Sequence, residues 1–243
     1  AMIGLGVSAC LMAAFRAFVT WFPVRQLPLI NGCQMAAGGL GAITATTPVQ
    51  ALLSLTDWRG VFFGLAGLTI VALLLILVVV PREPARAARE SWPDLGRGVG
   101  RVFRSSLFWR IAPVTVPAQA SFLAVQGLWT GPWLADVAGL TRSAAAEFLF
   151  LIAATMIVGF VTMGWLAARL SRVGISPMTV ALAGIMLFMA AQGLIILRVL
   201  PAPPFAWLLF GFFGTSTMLP YAALSQRFPP ALAGRVNTCL NLL

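Results

Sequence analysis

Gly60–Val80 reads GVFFGLAGLTIVALLLILVVV, an unbroken apolar run with no charged residue and Thr69 as its single hydroxyl. A helix rises about 1.5 Å per residue, so about 20 apolar residues are needed to cross a hydrocarbon core of roughly 30 Å. This run meets that length without a partner to bury it. Reading outward by the same criterion gives further spans at approximately Ala1–Trp21, Pro28–Leu53, Leu107–Leu134, Ala144–Arg169, Pro177–Leu197 and Pro204–Ser225, with Val236–Leu243 beginning another. The pattern predicts an all-α, polytopic membrane protein.

Composition agrees. Of 243 residues, 60% are hydrophobic and 9% charged, against roughly 25% charged in an ordinary soluble domain. The net charge of +10 comes entirely from arginine. These arginines lie between apolar runs rather than on a soluble basic face, so nucleic acid is not an expected partner and the lipid bilayer is. If 21–27 is cytoplasmic, strict alternation places 81–106, 169–176 and 226–235 on the same side. The opposite side then holds only Arg59, Arg142 and Arg198, as the positive-inside rule requires. Within 81–106, Arg97, Arg101 and Arg104 share one helical stripe and Val99, Val102 and Phe103 another, predicting a helix on the anionic inner leaflet.

The residues that are missing narrow the chemistry. Histidine is absent, which removes imidazole-based nucleophilic sites, the His-Glu-x-x-His zinc signature and imidazole proton relays. Cys10, Cys33 and Cys239 are isolated in apolar segments, with neither disulfide nor metal spacing. Asp57, Asp136 and Glu147 fall at outer turns or helix ends, and Glu83, Glu90 and Asp94 in the linker, so no carboxylate sits deep in a span. An enzyme is not expected, nor a cofactor or metal.

Three local patterns together resemble the major facilitator superfamily of secondary transporters. Gly164-Trp165-Leu166-Ala167-Ala168-Arg169-Leu170-Ser171-Arg172 is similar to the family's cytoplasmic Gly-x-Leu-Ala-Asp-Arg-x-Gly-Arg loop, with Ala168 in place of the Asp and Ser171 in place of the second Gly. Gly4-Leu5-Gly6-Val7-Ser8-Ala9 resembles the end of the fourth-helix motif, and Asp57-Trp58-Arg59-Gly60-Val61-Phe62 the entry to the sixth helix. A repeat supports this: Phe22-Pro23 followed by Asn31 recurs as Phe228-Pro229 followed by Asn237, all at an offset of 206 positions, as parallel halves would give. The resemblance implies a two-bundle transporter fold, truncated to helices four to ten and the start of eleven. Residues 1–80 would then be the last part of the N-terminal bundle, 81–106 the central cytoplasmic linker and 107–243 the first part of the C-terminal bundle.

It also implies that helices four, seven and ten line the cavity, while six and nine, which hold little polar beyond Thr69, Thr179 and Gln192, are peripheral. The seventh span carries Thr115, Gln119, Ser121, Gln126, Trp129 and Thr130, and the tenth Thr215, Ser216, Thr217 and Tyr221. Polar groups at membrane depth face protein or water. Gln119 and Gln126, two turns apart, share a face and are candidates for contact with substrate or for bonding to neighbouring helices. Trp129 is an aromatic wall or an interfacial anchor. Arg16, inside the first span, binds an anionic substrate or snorkels to the inner headgroups. Thr217 and Tyr221 bind substrate or serve helix packing. Pro113, Pro117, Gly127 and Pro132 are expected to interrupt the seventh span. Gly164, Arg169 and Arg172 form the loop motif associated with gating.

These readings converge on a multi-pass permease of the bacterial cytoplasmic membrane that moves a small organic solute by alternating access and acts as a monomer. The alternative is a ligand sensor of the same fold that does not transport.

Overall fold

A computed structural model of the chain describes residues 10–44, 49, 52–53, 55–80, 92–197 and 203–243. Every regular element among them is helical. They are α1 (Cys10–Trp21), α2 (Leu27–Thr44), α3 (Trp58–Val79), α4 (Trp92–Phe103), α5 (Ser106–Ala124), α6 (Arg142–Ser171), α7 (Pro177–Leu197), α8 (Pro203–Gly214), α9 (Leu219–Arg227) and α10 (Pro230–Leu242). A 3-10 turn, Val24–Gln26, leads into α2, and another, Thr215–Met218, joins α8 to α9. Two π-helical segments, Val125–Trp129 and Trp133–Val137, continue α5 around the short helix Thr130–Pro132.

Five helical stretches among the described residues are long and apolar enough to cross a membrane: Trp58–Val79, Ser106–Val137, Ser143–Ser171, Pro177–Leu197 and Phe205–Arg227. The Gly4–Ala9 motif lies outside the described residues, as does 81–91 of the linker.

Polar residues set the helix starts. Asp57 Oδ1 accepts the Gly60 N–H at 2.9 Å and caps α3, while the Arg59 guanidinium lies 4.4 Å from the Trp58 ring centre. The Asp-Trp-Arg-Gly motif is therefore a helix-entry device. Thr141 caps α6 through the Ala144 N–H. Gly139 (φ 66°) and Gly174 (φ 89°) occupy the left-handed region in the turns on either side of α6, where a side chain would be strained.

Of the residues expected to interrupt the seventh span, Gly127 and Pro132 fall within or next to departures from α geometry, but Pro113 and Pro117 do not. Pro113 and Pro117 lie inside a continuous α5, and the departures from α geometry come later, in the π segments. Phe108, Ile111, Ala112, Thr115 and Phe122 are buried on both sides of the prolines, so packing holds the helix through the two missing donors.

The chain divides into two compact units, Ala1–Gly39 with Arg97–Leu243, and Leu40–Gly96. In the larger, one core gathers Phe15, Val102, Phe108, Ile111, Tyr221, Leu224 and Val236. A second gathers Phe122, Phe188, Trp207 and Phe210, whose rings meet at centroid distances of 5.2–5.8 Å. Val102 of α4 is buried in the first core and Phe103 half-buried against it, while Arg101, Arg104 and Val99 are exposed, so the apolar stripe packs in part against protein.

Close backbone approach joins α2 to α6. A methyl on Gly32 would collide with the Phe160 carbonyl, and one on Gly164 with the Pro28 carbonyl. Both glycines are sites where only a hydrogen fits.

Candidate functional site

The polar residues of the seventh and tenth spans meet. Thr217, fully buried in the 3-10 turn, donates its hydroxyl to Gln119 Oε1 on α5, and its Oγ1 also lies 2.8 Å from the Gly214 carbonyl. One hydroxyl proton cannot serve two acceptors fully. With the Gln119 amide turned over, its nitrogen donates to Thr217 and Thr217 donates to Gly214, which satisfies each group. The 3-10 turn supplies this geometry by setting Thr215, Ser216 and Thr217 all inside the protein.

Beside this pair lies a cavity of about 150 Å³, lined by Thr115, Gln119 and Leu123 of α5, Tyr221 of α9 and Leu240 and Asn241 of α10. The Tyr221 hydroxyl donates to Asn241 Oδ1 at 3.0 Å, and its ring packs on Phe15 at 6.0 Å. The Thr115 hydroxyl is occupied by the Ile111 carbonyl at 3.0 Å. Asn241 Nδ2 and one end of the Gln119 amide thus remain to meet a ligand. Among the described residues no charged side chain lines the cavity. Such a wall offers neutral donors and acceptors beside apolar surface.

The other candidates fall elsewhere. Gln126 is half-buried in the first π segment and is not on this cavity wall. Trp129 is 65% exposed. Arg16 is also exposed, and its side-chain stem runs beside Gly234 of α10. Gly164 is the contact point of α6 with α2, while Arg169 and Arg172 line a second cavity of about 420 Å³ together with Arg25.

Two wall residues are not among the binding candidates that the sequence supplies. Thr115 stands out there only as a polar residue of the seventh span, and Asn241 does not stand out at all. The signal for Asn241 is its i, i+4 spacing from Asn237 in an apolar stretch, which puts both amides on one side of a helix. Gln192, on a span expected to be peripheral, accepts a hydrogen bond from Ser121 at 3.2 Å and so ties α7 to α5.

The π segments are local adjustments beside this site. The Thr130 hydroxyl, fully buried, bonds the Val125 carbonyl at 2.8 Å, across five residues, which braces the wider turn. Such segments occur frequently at functional sites.

Residues 1–243 match the family model described as Major Facilitator Superfamily. No curated protein matches the chain.

Proposed function

Because the chain belongs to the Major Facilitator Superfamily, we propose that it is a permease that carries a small, uncharged organic solute by alternating access around the Gln119–Thr217 cavity. The fold is all-α and multi-pass, and members of the family generally transport small molecules across the lipid bilayer. The observation that carries the finer reading is the uncharged polar wall: Gln119, Tyr221 and Asn241 converge from three helices on a cavity with no charged side chain among the described residues that line it. A solute with carbonyl or hydroxyl groups and an apolar body suits it, since the buried Gln119 amide discriminates against a ligand that leaves it unpaired. A fully ionised solute suits it less, because no charged side chain among the described residues that line it would offset the loss of hydration.

In this reading residues 1–80 and 107–243 contribute to two bundles that rock about the cavity, with 81–106 as the cytoplasmic link. The arginine-rich turns face the cytoplasm of a bacterial cell, and the protein works as a monomer without a metal or cofactor. Gly164, Arg169 and Arg172 belong to the loop that accompanies the rocking.

The test is flux. The full-length protein in proteoliposomes is expected to give saturable uptake of neutral solutes, identified by competition within a panel, and Gln119→Ala to weaken it. Saturable binding with no flux would favour a sensor of the same fold, and preference for an anionic solute would reject the neutral site.

A further inference from the structure

The second cavity is built differently from the first. Arg25 projects from the 3-10 turn Val24–Gln26, and Arg169 and Arg172 from the end of α6; all three line a space of about 420 Å³ together with Pro23, Leu29 and Trp165. None of its lining residues is a carboxylate. The ion pair of Arg59 with Asp57, at 3.9 Å, lies in another part of the chain. A cation at the end of α6 is explained by the negative pole of the helix. That explanation covers Arg169 and Arg172 but not Arg25, which comes from another element.

The backbone gathers these like charges. Gly164 lets α6 touch the Pro28 carbonyl, which brings the start of α2 beside the end of α6. Gln226 Nε2 holds the Val24 carbonyl at 2.9 Å and so fixes the turn that bears Arg25. The Arg172 N–H bonds the Arg169 and Leu170 carbonyls. Three exposed guanidiniums that line one cavity favour an anion there, and their planar forks suit the oxygens of a phosphate.

We propose that this cavity binds the phosphate of an anionic phospholipid from the cytoplasmic leaflet. A basic pocket between helices on that side is a recognised setting for such headgroups. The choice of lipid over free phosphate rests on the remaining wall: Trp165, 52% exposed, and half-buried Leu29 form an apolar edge suited to the glycerol and upper acyl chains, with tryptophan at its usual interfacial depth. The loop motif then has a second use, anchoring the junction of α2 and α6 to the membrane surface.

The experiment is native mass spectrometry of the full-length protein released from neutral detergent micelles, with added phosphatidylglycerol, phosphatidylcholine or the soluble headgroup glycerol 1-phosphate. Phosphatidylglycerol is expected to stay bound and phosphatidylcholine to dissociate. R25Q/R169Q/R172Q is expected to weaken retention by about tenfold or more, as loss of three basic contacts should. R59Q/R110Q/R227Q, with the same charge removed at exposed positions that do not line the cavity, is expected to retain the lipid. Circular dichroism of each variant checks folding, and R25Q alone, a change in a surface turn, gives a milder form of the same test. Equal retention by R25Q/R169Q/R172Q and the parent, or equal loss from both triple variants, would overturn the site. Binding of glycerol 1-phosphate as tight as that of the lipid, unaffected by W165A, would assign the cavity to free phosphate instead.

Discussion

Asn31 and Asn237, 206 positions apart, occupy the same place in two copies of one local structure. Each follows by eight residues a proline of nearly the same backbone conformation, Pro23 at φ −57°, ψ 136° and Pro229 at φ −53°, ψ 142°, although Pro23 opens the 3-10 turn that leads into α2 and Pro229 caps α10 directly. Each is buried, at 6% and 1% exposure, and each has a side-chain Oδ1 with no hydrogen-bond partner among the described residues. A match of three letters in an apolar sequence could arise by chance. A match that extends to backbone angles, burial and an unmet acceptor is what two halves of a parallel repeat should retain.

Asn237 lends itself to a stability test. Its Nδ2 donates to Ser225 Oγ at 3.0 Å between buried side chains on α10 and α9. Asn237→Ala leaves the serine hydroxyl unpaired and is expected to cost about 1–3 kcal/mol. Adding Ser225→Ala should recover part of that loss, because removing both partners is milder than orphaning one. Thermal unfolding in detergent of the two single variants and the double measures the coupling; simple additivity would show that the pair is not linked.

Gly32 and Gly38 give a paired test of helix contact within one element. A methyl on Gly32 meets a backbone carbonyl that cannot move aside, while Gly38 has nothing within 4 Å. Gly32→Ala is expected to destabilise by about 1–3 kcal/mol through overpacking. Gly38→Ala should be neutral or stabilising by up to about 1 kcal/mol, the ordinary helical preference for alanine. Comparing folded yield and melting temperature for the two variants checks the α2–α6 interface, and the reverse order would exclude it.

The difference between what is legible in the sequence and what is not follows from the range of each signal. Pro177–Leu197 is legible end to end because its apolar run coincides with its helix, and Ser176 marks the start by accepting the Thr179 N–H at 3.2 Å. The last helix begins at Pro230, ahead of the apolar run that starts at Val236, because unbroken apolar sequence gives no sign of a helical turn that contains Arg235. The 3-10 turn at Thr215–Met218 leaves no trace in hydropathy. Gln119 and Thr217 each stand out as polar at membrane depth, but their hydrogen bond joins positions 98 apart, and no local period reports that. Seven-residue spacing places Gln126 near the face of Gln119 but about 10 Å further along the helix axis, beyond Leu123, the last residue of α5 that lines the cavity.

The cavity wall orders the effects of substitutions in α5. Gln119→Ala removes a wall amide, and Thr217→Val removes the hydroxyl that orients it. Each is expected to weaken solute affinity about 3–10-fold, the equivalent of one hydrogen bond, and the double variant should be little worse than the single ones because both break the same contact. Gln126→Ala, off this wall, should stay within about twofold of the parent, the range of a residue with no share in the bond. Binding isotherms on the purified protein test the ranking. A larger effect at Gln126 than at Gln119 would move the site toward the π segment.

Thr130 tests whether the π segment has a part in movement or only in shape. Its hydroxyl and its backbone N–H both reach the Val125 carbonyl, so Thr130→Val keeps the volume and one of the two bonds. The hydroxyl is fully buried, and its loss is expected to cost about 0.5–1.5 kcal/mol in whichever conformations contain the wide turn. If the turn persists through the transport cycle, every state loses the same amount, and the variant melts lower with unchanged transport. If the turn forms in one state and relaxes to α in the other, the loss falls on one side of the equilibrium and shifts it by roughly three- to tenfold. The expected result is the second: altered maximal flux in proteoliposomes with solute affinity changed by less than the flux, since Thr130 does not line the cavity. A lower melting temperature with unaltered flux would assign the π segment to static packing.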